Sequence, residues 1–339
     1  MNNEEEAKTK KNVSMREMGR RLGVSAVTVS KALSGKPGVS DTVREQVENL
    51  AQELGYRYEM NSRTCKDVAI LVPGHFFGHG NSFYASLCNK LVQQLSRRNG
   101  YGLLSILSEE EEAACRFPAI MLNNHISGLV VLGQVSGAYM HMLDEAKLSV
   151  PYVCMDFYDE HSGTDSVVSD GLYGSYRLTS HLIHRGHTRI GFYGSIRATS
   201  SIMDRYLGFY RAMLQHDLPI DPAWIVPDRD AHGEPCEYPL PDPLPTAFVC
   251  NCDQMAMLLR KRLEAMGLKV PDDVSLVGFD DYTYSASVSP FLTTFAVDQD
   301  SLARETARMI TDKMNGVAES KGRVVTGGHL VYRRSVKQI

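Results

Sequence analysis

The chain has 339 residues, 43% of them hydrophobic and 22% charged, with a formal net charge of −4. That length suits two or three domains, and that composition belongs to a soluble globular protein, not a fibrous or disordered one. Seven scattered cysteines exclude an exported disulfide framework and point to reduced thiols in a cytoplasm, while no apolar run approaches the roughly 18 residues of a membrane helix. Residues 1–12 are polar and charged, unlike a signal peptide, and are expected to form a disordered tail. From Met15 the pattern changes. Met15, Met18 and Leu22 recur at i, i+3 and i+7, which predicts a short helix with one apolar face and with Arg16, Arg20 and Arg21 outside. Gly23 ends it, and Ser25 is placed to cap a second helix with its side-chain oxygen. Two short helices joined by a glycine turn make a helix-turn-helix, a unit that lays its second helix in the major groove of DNA. After Lys36-Pro-Gly38, Ser40 caps a third helix whose Val43, Val47, Leu50 and Leu54 close the small core, and Gly55 stops it. Between Lys8 and Arg57 ten basic residues stand against five acidic ones. A basic head on an acidic body concentrates phosphate-neutralising charge at the helix-turn-helix, although a plain three-helix bundle with surface Lys and Arg carries the same pattern.

The run Val13-Ser-Met-Arg-Glu-Met-Gly-Arg-Arg-Leu-Gly-Val-Ser-Ala-Val-Thr-Val-Ser-Lys-Ala-Leu-Ser-Gly35, with Val39-Ser40 and Val43-Arg-Glu-Gln-Val47, resembles the head of a LacI/GalR-type bacterial transcription regulator. The Gly-Val-Ser-x-x-Thr-Val-Ser-basic core is the most specific part of that likeness. The resemblance implies that residues 13–57 are the DNA-binding domain. Ser25, Thr28 and Ser30 are then expected to contact phosphates, and Ala26, Val27 and Lys31 base edges, with Arg57 as a further DNA contact. Val24, Val29 and Leu33 are expected to be buried. The link, residues 58–67, departs from the family. It lacks the Pro-Asn and the leucine that would wedge into the minor groove, offers only Met60 as an apolar side chain, and is shorter, which predicts no standard hinge helix.

From Val68 onward, short apolar runs alternate with helical segments. Strands are expected at Val68 to Val72, Gly102 to Leu107, Gly128 to Leu132, Tyr152 to Met155, Val167 to Val168, Ile190 to Tyr193, Ala247 to Cys250 and Ser275 to Phe279. Ser82 to Asn99 reads as a helix with Phe83, Leu87, Leu91 and Leu95 on one face. Fully apolar strands alternating with helices predict an α/β fold with doubly wound parallel sheets covered on both faces, and there are too many for one unit. Two subdomains with a cleft between them follow. The later blocks agree with the family: Asp165 to Asp170, His181 to Ile190, Arg205 to Phe209, Val270 to Asp281 and Leu292 to Thr294. The resemblance implies a periplasmic-binding-protein-like core, residues 68–339. Its first subdomain would hold about 68–160 and 295–322, and its second about 161–294 and 323–339. It further implies a small effector in the cleft and a homodimer on an inverted-repeat operator.

Ligands of open α/β sheets bind at the carboxyl ends of strands, where Asp156 and Asp280 stand. Arg205 is read as the start of a helix, with a guanidinium fork suited to vicinal hydroxyls. These three match the family's polar effector contacts by position, and Phe83 and Tyr84 its aromatic wall. His75, Asn251, Cys252 and Gln299 complete the expected effector set. Two carboxylates, an Arg and an aromatic face suit a carbohydrate. Three departures bear on the ligand. Cys252-Asp253 stands where the family has Asn-Asp, so the amide contact is either lost or shifted to Asn251. The loop Gly74 to Gly80 is long and brings His75, His79 and two Phe to the cleft mouth. Between Trp224 and Thr246 the chain is Pro-rich and predicts an irregular wall in place of a helix. His75, His79 and Cys250 or Cys252 offer zinc donors, but Cys-x-Cys is not a familiar zinc spacing. No cofactor motif or catalytic signature is present, so the expectation is a cytoplasmic repressor without cofactor and without enzymatic activity. The alternative is a ligand-binding sensor that acts through a protein partner.

Overall fold

The computed structural model describes residues 14–33, 38–54, 66–77, 82–122, 126–146, 148, 150–159, 162–230, 233–281, 291–317 and 320–339. The chain divides into two compact units, Met1–Cys65 and Lys66–Ile339. In the first, α1 (Met15–Leu22), α2 (Ala26–Leu33) and α3 (Asp41–Glu53) pack around Met18, Val29, Ala32, Val47 and Ala51. Ser14 caps α1 by accepting from the Glu17 amide, and Gly23 ends it at φ 67°, a left-handed conformation that glycine enters freely. Val43, Leu50 and Leu54 pack on this core, and Arg44 Nη1 donates to the Ala32 carbonyl at 2.9 Å, which ties α3 to the end of α2. Gly55 lies outside the described residues.

The second unit holds two six-stranded sheets. The first comprises β1 (Lys66–Pro73), β2 (Gly100–Leu107), β3 (Ile126–Leu132), β4 (Tyr152–Met155), β5 (Ser166–Ser169) and β11 (Arg323–Thr326), in the order β11-β5-β4-β3-β1-β2. The second comprises β6 (Ile190–Tyr193), β7 (Ile225–Val226), β8 (Ala247–Cys250), β9 (Ser275–Asp280), β10 (Thr293–Val297) and β12 (Gly328–Val331), in the order β12-β10-β9-β8-β6-β7. All pairings are parallel except the edge pair β10–β12. Helices α4 (Ser82–Ser96), α5 (Glu109–Ala113), α6 (Ala119–Leu122), α7 (Gly137–Glu145) and α11 (Gln299–Met314) belong with the first sheet. Helices α8 (Gly171–His184), α9 (Ser200–Gln215) and α10 (Asp253–Ala265) belong with the second. Along β1, Val68, Ile70 and Val72 enter one apolar layer, and Ala69 and Leu71 the opposite one. That alternation is why the strand reads as a continuous apolar run: both of its faces are covered.

The chain passes between the sheets three times, after β5, after β10 and after β11. Ser166–Ser169 and Arg323–Thr326 therefore lie in the first sheet and Thr293–Val297 in the second. The crossings fall near 170, 298 and 327, in place of the boundaries at 161, 295 and 323 drawn from sequence. Lys66 and Asp67, read as the end of the link, already pair with β2. Asp170 and Asp298, at two crossings, cap α8 and α11 by accepting from Tyr173 and Ser301 amides at 3.0 and 2.9 Å. Among the described residues no helix is long and apolar enough to cross a membrane.

Candidate functional site

In the head, the turn between α1 and α2 is made by close approach. A Cβ on Gly19 would lie 2.6 Å from the Val24 carbonyl oxygen, so only glycine lets the chain fold back there. Ser25 Oγ accepts from the Thr28 amide at 3.0 Å and lies 2.8 Å from the Thr28 hydroxyl. This caps α2 and fixes its start. Val29 is fully buried, and Val24 and Leu33 pack partly buried against the same core. Val27, two positions before the buried Val29, is 65% exposed, and Ser25 and Lys31 are exposed as well. Ala26, Thr28 and Ser30 are half-buried. Arg57 lies outside the described residues.

In the core, the carboxyl ends of both sheets face one cavity of about 100 Å³. The first subdomain brings His75 and Phe76, in a short turn after β1, Phe83 and Tyr84 at the start of α4, and Asp156 after β4. The second brings Arg205 from α9, Asn251 and Cys252 after β8, and Asp280 at the end of β9. Asp156 and Asp280 have φ of 66° and 109°, a backbone region that costs an L-residue energy and recurs at functional sites. Arg205 is fixed on three sides. Its Nη1 donates to the Asn251 carbonyl at 2.6 Å, its Nη2 to Asp280 Oδ1 at 3.2 Å, and its guanidinium carbon lies 4.1 Å from the Phe279 ring centre. Tyr84 donates to Asp156 Oδ2 at 2.9 Å and stacks on Phe76 with ring centres 4.3 Å apart.

Three polar atoms of this lining are buried with no partner among the described residues: Asp156 Oδ1, Arg205 Nε and Asn251 Oδ1. Each such atom costs about 1–3 kcal/mol until something satisfies it. Burial pushes the Asp280 carboxyl up to about 7 against the pull of Arg205, with Asp156 raising it further. Burial raises Asp156 too, opposed by Arg205 and by the Tyr84 hydroxyl. Cys252 is pushed to about 12 by burial and by Asp280, so its thiol stays protonated and unreactive. The two carboxylates share one guanidinium. The unsatisfied atoms are two acceptors and one donor, a set that a ligand offering both, such as a hydroxyl, completes.

Eight of the nine core residues singled out in the sequence line this cavity: His75, Phe83, Tyr84, Asp156, Arg205, Asn251, Cys252 and Asp280. Gln299 does not. It is the first residue of α11, and its Oε1 accepts from the Ser86 hydroxyl at 2.9 Å, at a separate surface hollow beside the crossings. Arg205 does not begin its helix either. The helix starts at Ser200 under a Thr199 cap and carries Arg205 in its second turn. His79 lies outside the described residues. The irregular wall expected after Trp224 contributes as well, through residues not named as effector contacts. Asp228 and Arg229 sit in the irregular wall after β7 and form a two-pronged pair at 3.1 and 2.8 Å, and Arg229 lines the cavity. Burial alone would raise Asp228, but the Arg229 fork, the Ser195 amide and the Asn251 amide hold it below its ordinary range. An Asp-Arg-Asp run in a Pro-rich segment between strands was the available signal.

Comparison with known proteins places these parts. Residues 14–58 match the family of bacterial regulatory proteins of the lacI type, and residues 179–336 match the periplasmic binding protein-like domain. The chain is 27% identical over 338 residues to the HTH-type transcriptional repressor PurR of Photobacterium profundum, covering 96% of this chain and 99% of that one. It is 26% identical over 330 residues to the repressor of the same name from Pectobacterium carotovorum, with 95% and 96% covered. Among solved structures it is similar to a transcriptional regulator CelR-cellobiose complex, with TM-score 0.68, 25% identity, and 95% and 99% of the two chains covered. The lac repressor dimer bound to operator and the anti-inducer ONPF shares the fold at TM-score 0.71 and 21% identity, with 96% and 100% covered. A LacI family regulator from Enterococcus faecium with bound ribose does so at 0.65 and 20%, with 81% and 100% covered.

Proposed function

We propose that the chain is a DNA-binding transcriptional repressor of the lacI type, controlled by a polyhydroxylated effector, a sugar or sugar derivative, bound in the core cleft; the matches to the lacI-type head, to the periplasmic binding protein-like domain and to full-length repressors support this. The observation that carries the effector reading is the convergence of Asp156, Asp280 and Arg205 on one cavity, with buried atoms of Asp156, Arg205 and Asn251 left unsatisfied. Hydroxyls satisfy such a set, since each donates to a carboxylate and accepts from a guanidinium, while the Tyr84 and Phe76 rings cover the C–H face of a sugar. The similar regulators of known structure with cellobiose or ribose support this class of ligand.

For the DNA half, the exposed start of α2 supplies the contacts: Ser25, Thr28 and Ser30 to phosphates, and Ala26, Val27 and Lys31 to base edges, with Arg57 beyond the third helix. We assign the head to residues 13–57, the link to 58–65 and the core to the remainder, working as a homodimer on an inverted repeat in the cytoplasm, as a regulator and not as an enzyme. The test is fluorescence anisotropy of the purified protein on DNA from upstream of its own gene, with sugars, sugar phosphates and nucleosides added in turn. Salt-dependent, sequence-selective binding that one sugar class alters is the expected result. A folded dimer with no selective binding under any condition would overturn it in favour of a sensor acting through a protein partner.

A further inference from the structure

Beside the inner cavity, and sharing Arg229 and His75 with it, lies a second chamber of about 690 Å³, whose walls include Glu112, Gln134, Ser136, Arg197 and Asp230. His75, Phe76, Thr199 and Arg229 border both chambers. Pockets for small organic ligands usually measure about 300–1,000 Å³. The inner chamber alone, at about 100 Å³, is undersized. The two together are not.

Arg229 is fixed at the junction. Its Nε and Nη2 hold Asp228 at 3.1 and 2.8 Å, and Asp228 in turn accepts from the Ser195 amide at 2.7 Å and from Asn251 Nδ2 at 2.6 Å. The guanidinium plane is therefore set by a buried carboxylate, and Nη1 makes no hydrogen bond among the described residues. A pre-oriented donor with a locked base binds with little loss of rotamer freedom. The charges around it are mixed: Glu112 and Asp230 face the outer chamber together with Arg197 and Arg229. An anionic substituent would meet those carboxylates. A neutral polyol uses both signs, giving hydroxyl protons to one and taking N–H bonds from the other. The His75 and Phe76 rings, with centres 4.1 Å apart, border both chambers.

We infer that the outer chamber is a second sugar subsite with Arg229 as its specificity-determining residue, so that the effector is a neutral disaccharide or glycoside and not a monosaccharide. This rests on the inner cavity being a sugar site, as proposed above. Titration calorimetry on the full chain compares monosaccharides with the disaccharides built from them. At least one disaccharide binds about tenfold or more tightly than either of its parts. Arg229→Gln removes the Nη1 donor and reduces that preference. Because it also strips Asp228 of its counter-ion, Gly137→Leu provides a second probe. Gly137 lines the outer chamber, and a Cβ there meets no heavy atom within 4 Å, so the added side chain enters open space. It too lowers disaccharide affinity more than monosaccharide affinity. Equal binding of monosaccharides and disaccharides, or a preference that neither variant changes, overturns the inference and leaves the inner site standing. Tighter binding of sugar phosphates than of neutral disaccharides overturns it as well. No binding of any saccharide overturns the sugar reading of the cleft, and this inference with it.

Discussion

Asp280 sets the pH behaviour of the cleft. Burial and Asp156 hold its carboxyl at about 7, against an ordinary 3.8 and despite Arg205. Between those values the folded protein keeps a proton that the unfolded chain has released. Its contribution to stability is therefore full below 3.8, declines as pH rises and is lost as pH passes about 7. Asp280→Asn should reduce the fall in melting temperature of the ligand-free protein over this range; Asp156 and Asp204, raised in the same direction, add to that fall, and His75, His181 and His187, lowered by burial, oppose it. Hydroxyl donors favour the ionised form, so sugar binding should strengthen by up to about tenfold per unit as pH climbs toward 7, with proton release. Calorimetry in buffers of different ionisation heat reads that release, and a pH-independent affinity sinks the idea. Asp156 and Asp280 were legible in the sequence because a polar residue directly after an apolar strand has its position fixed by the strand. For Asp228 and Arg229 only their place in an irregular wall was legible, because their segment has no periodic pattern from which a direction could be read. Gln299 misled for a related reason: a residue at a crossing can face the cleft or the outer surface, and only packing decides.

The helix-turn-helix separates stability from recognition within a few residues. Ser25→Ala removes the oxygen that holds the Thr28 amide and should cost the head about 1 kcal/mol, seen as faster hydrogen exchange in α1–α3. Gly19→Ala sets a Cβ against the Val24 carbonyl oxygen at 2.6 Å and should cost about 1–3 kcal/mol. Val27→Ala, on a side chain 65% exposed, should change stability by less than about 0.5 kcal/mol yet weaken operator binding. Equal loss of folding and of DNA binding in Val27→Ala would remove Val27 from the recognition surface. Elements of this kind were readable because caps, glycine stops and apolar spacing act locally, and so were the seven buried strands of the core and the apolar but largely exposed edge strand Gly100–Leu107. The strands that sequence reading passed over are short or lie at sheet edges. Arg323–Thr326 and Gly328–Val331 are four-residue edge strands, each paired on one side only and with little apolar patterning to mark them. Thr293–Val297 is fully buried, but its paired threonines break the apolar run.

At the scale of the molecule, the core's two subdomains are tied across the cleft by bonds that border the ligand chambers. Gln134 Oε1 accepts from the Ser200 amide at 2.6 Å, Ser201 Oγ donates to the Asp156 carbonyl at 2.7 Å, and Tyr158 donates to Asp204 at 2.9 Å. Two sheets were foreseeable from the number of strands, but these ties join residues far apart in sequence and no local pattern announces them. All three lean on the start of α9, the helix that carries Arg205. A ligand that engages Arg205 and Asp156 together therefore has different contacts in a closed and an open core, which is the condition for shifting their populations. If the operator also prefers one of those states, binding at the two sites is linked and the linkage is reciprocal. The factor by which saturating sugar changes operator affinity must equal the factor by which saturating operator changes sugar affinity, with about 5- to 150-fold the usual range. Both are measurable on the same protein by anisotropy and calorimetry. Tyr158→Phe removes one tie without touching either chamber and should alter that factor, in both directions of measurement and by the same amount. Sugar affinity that is indifferent to operator would mean that the cleft and the head do not share a conformational equilibrium, and the repressor would then need a partner to carry the signal.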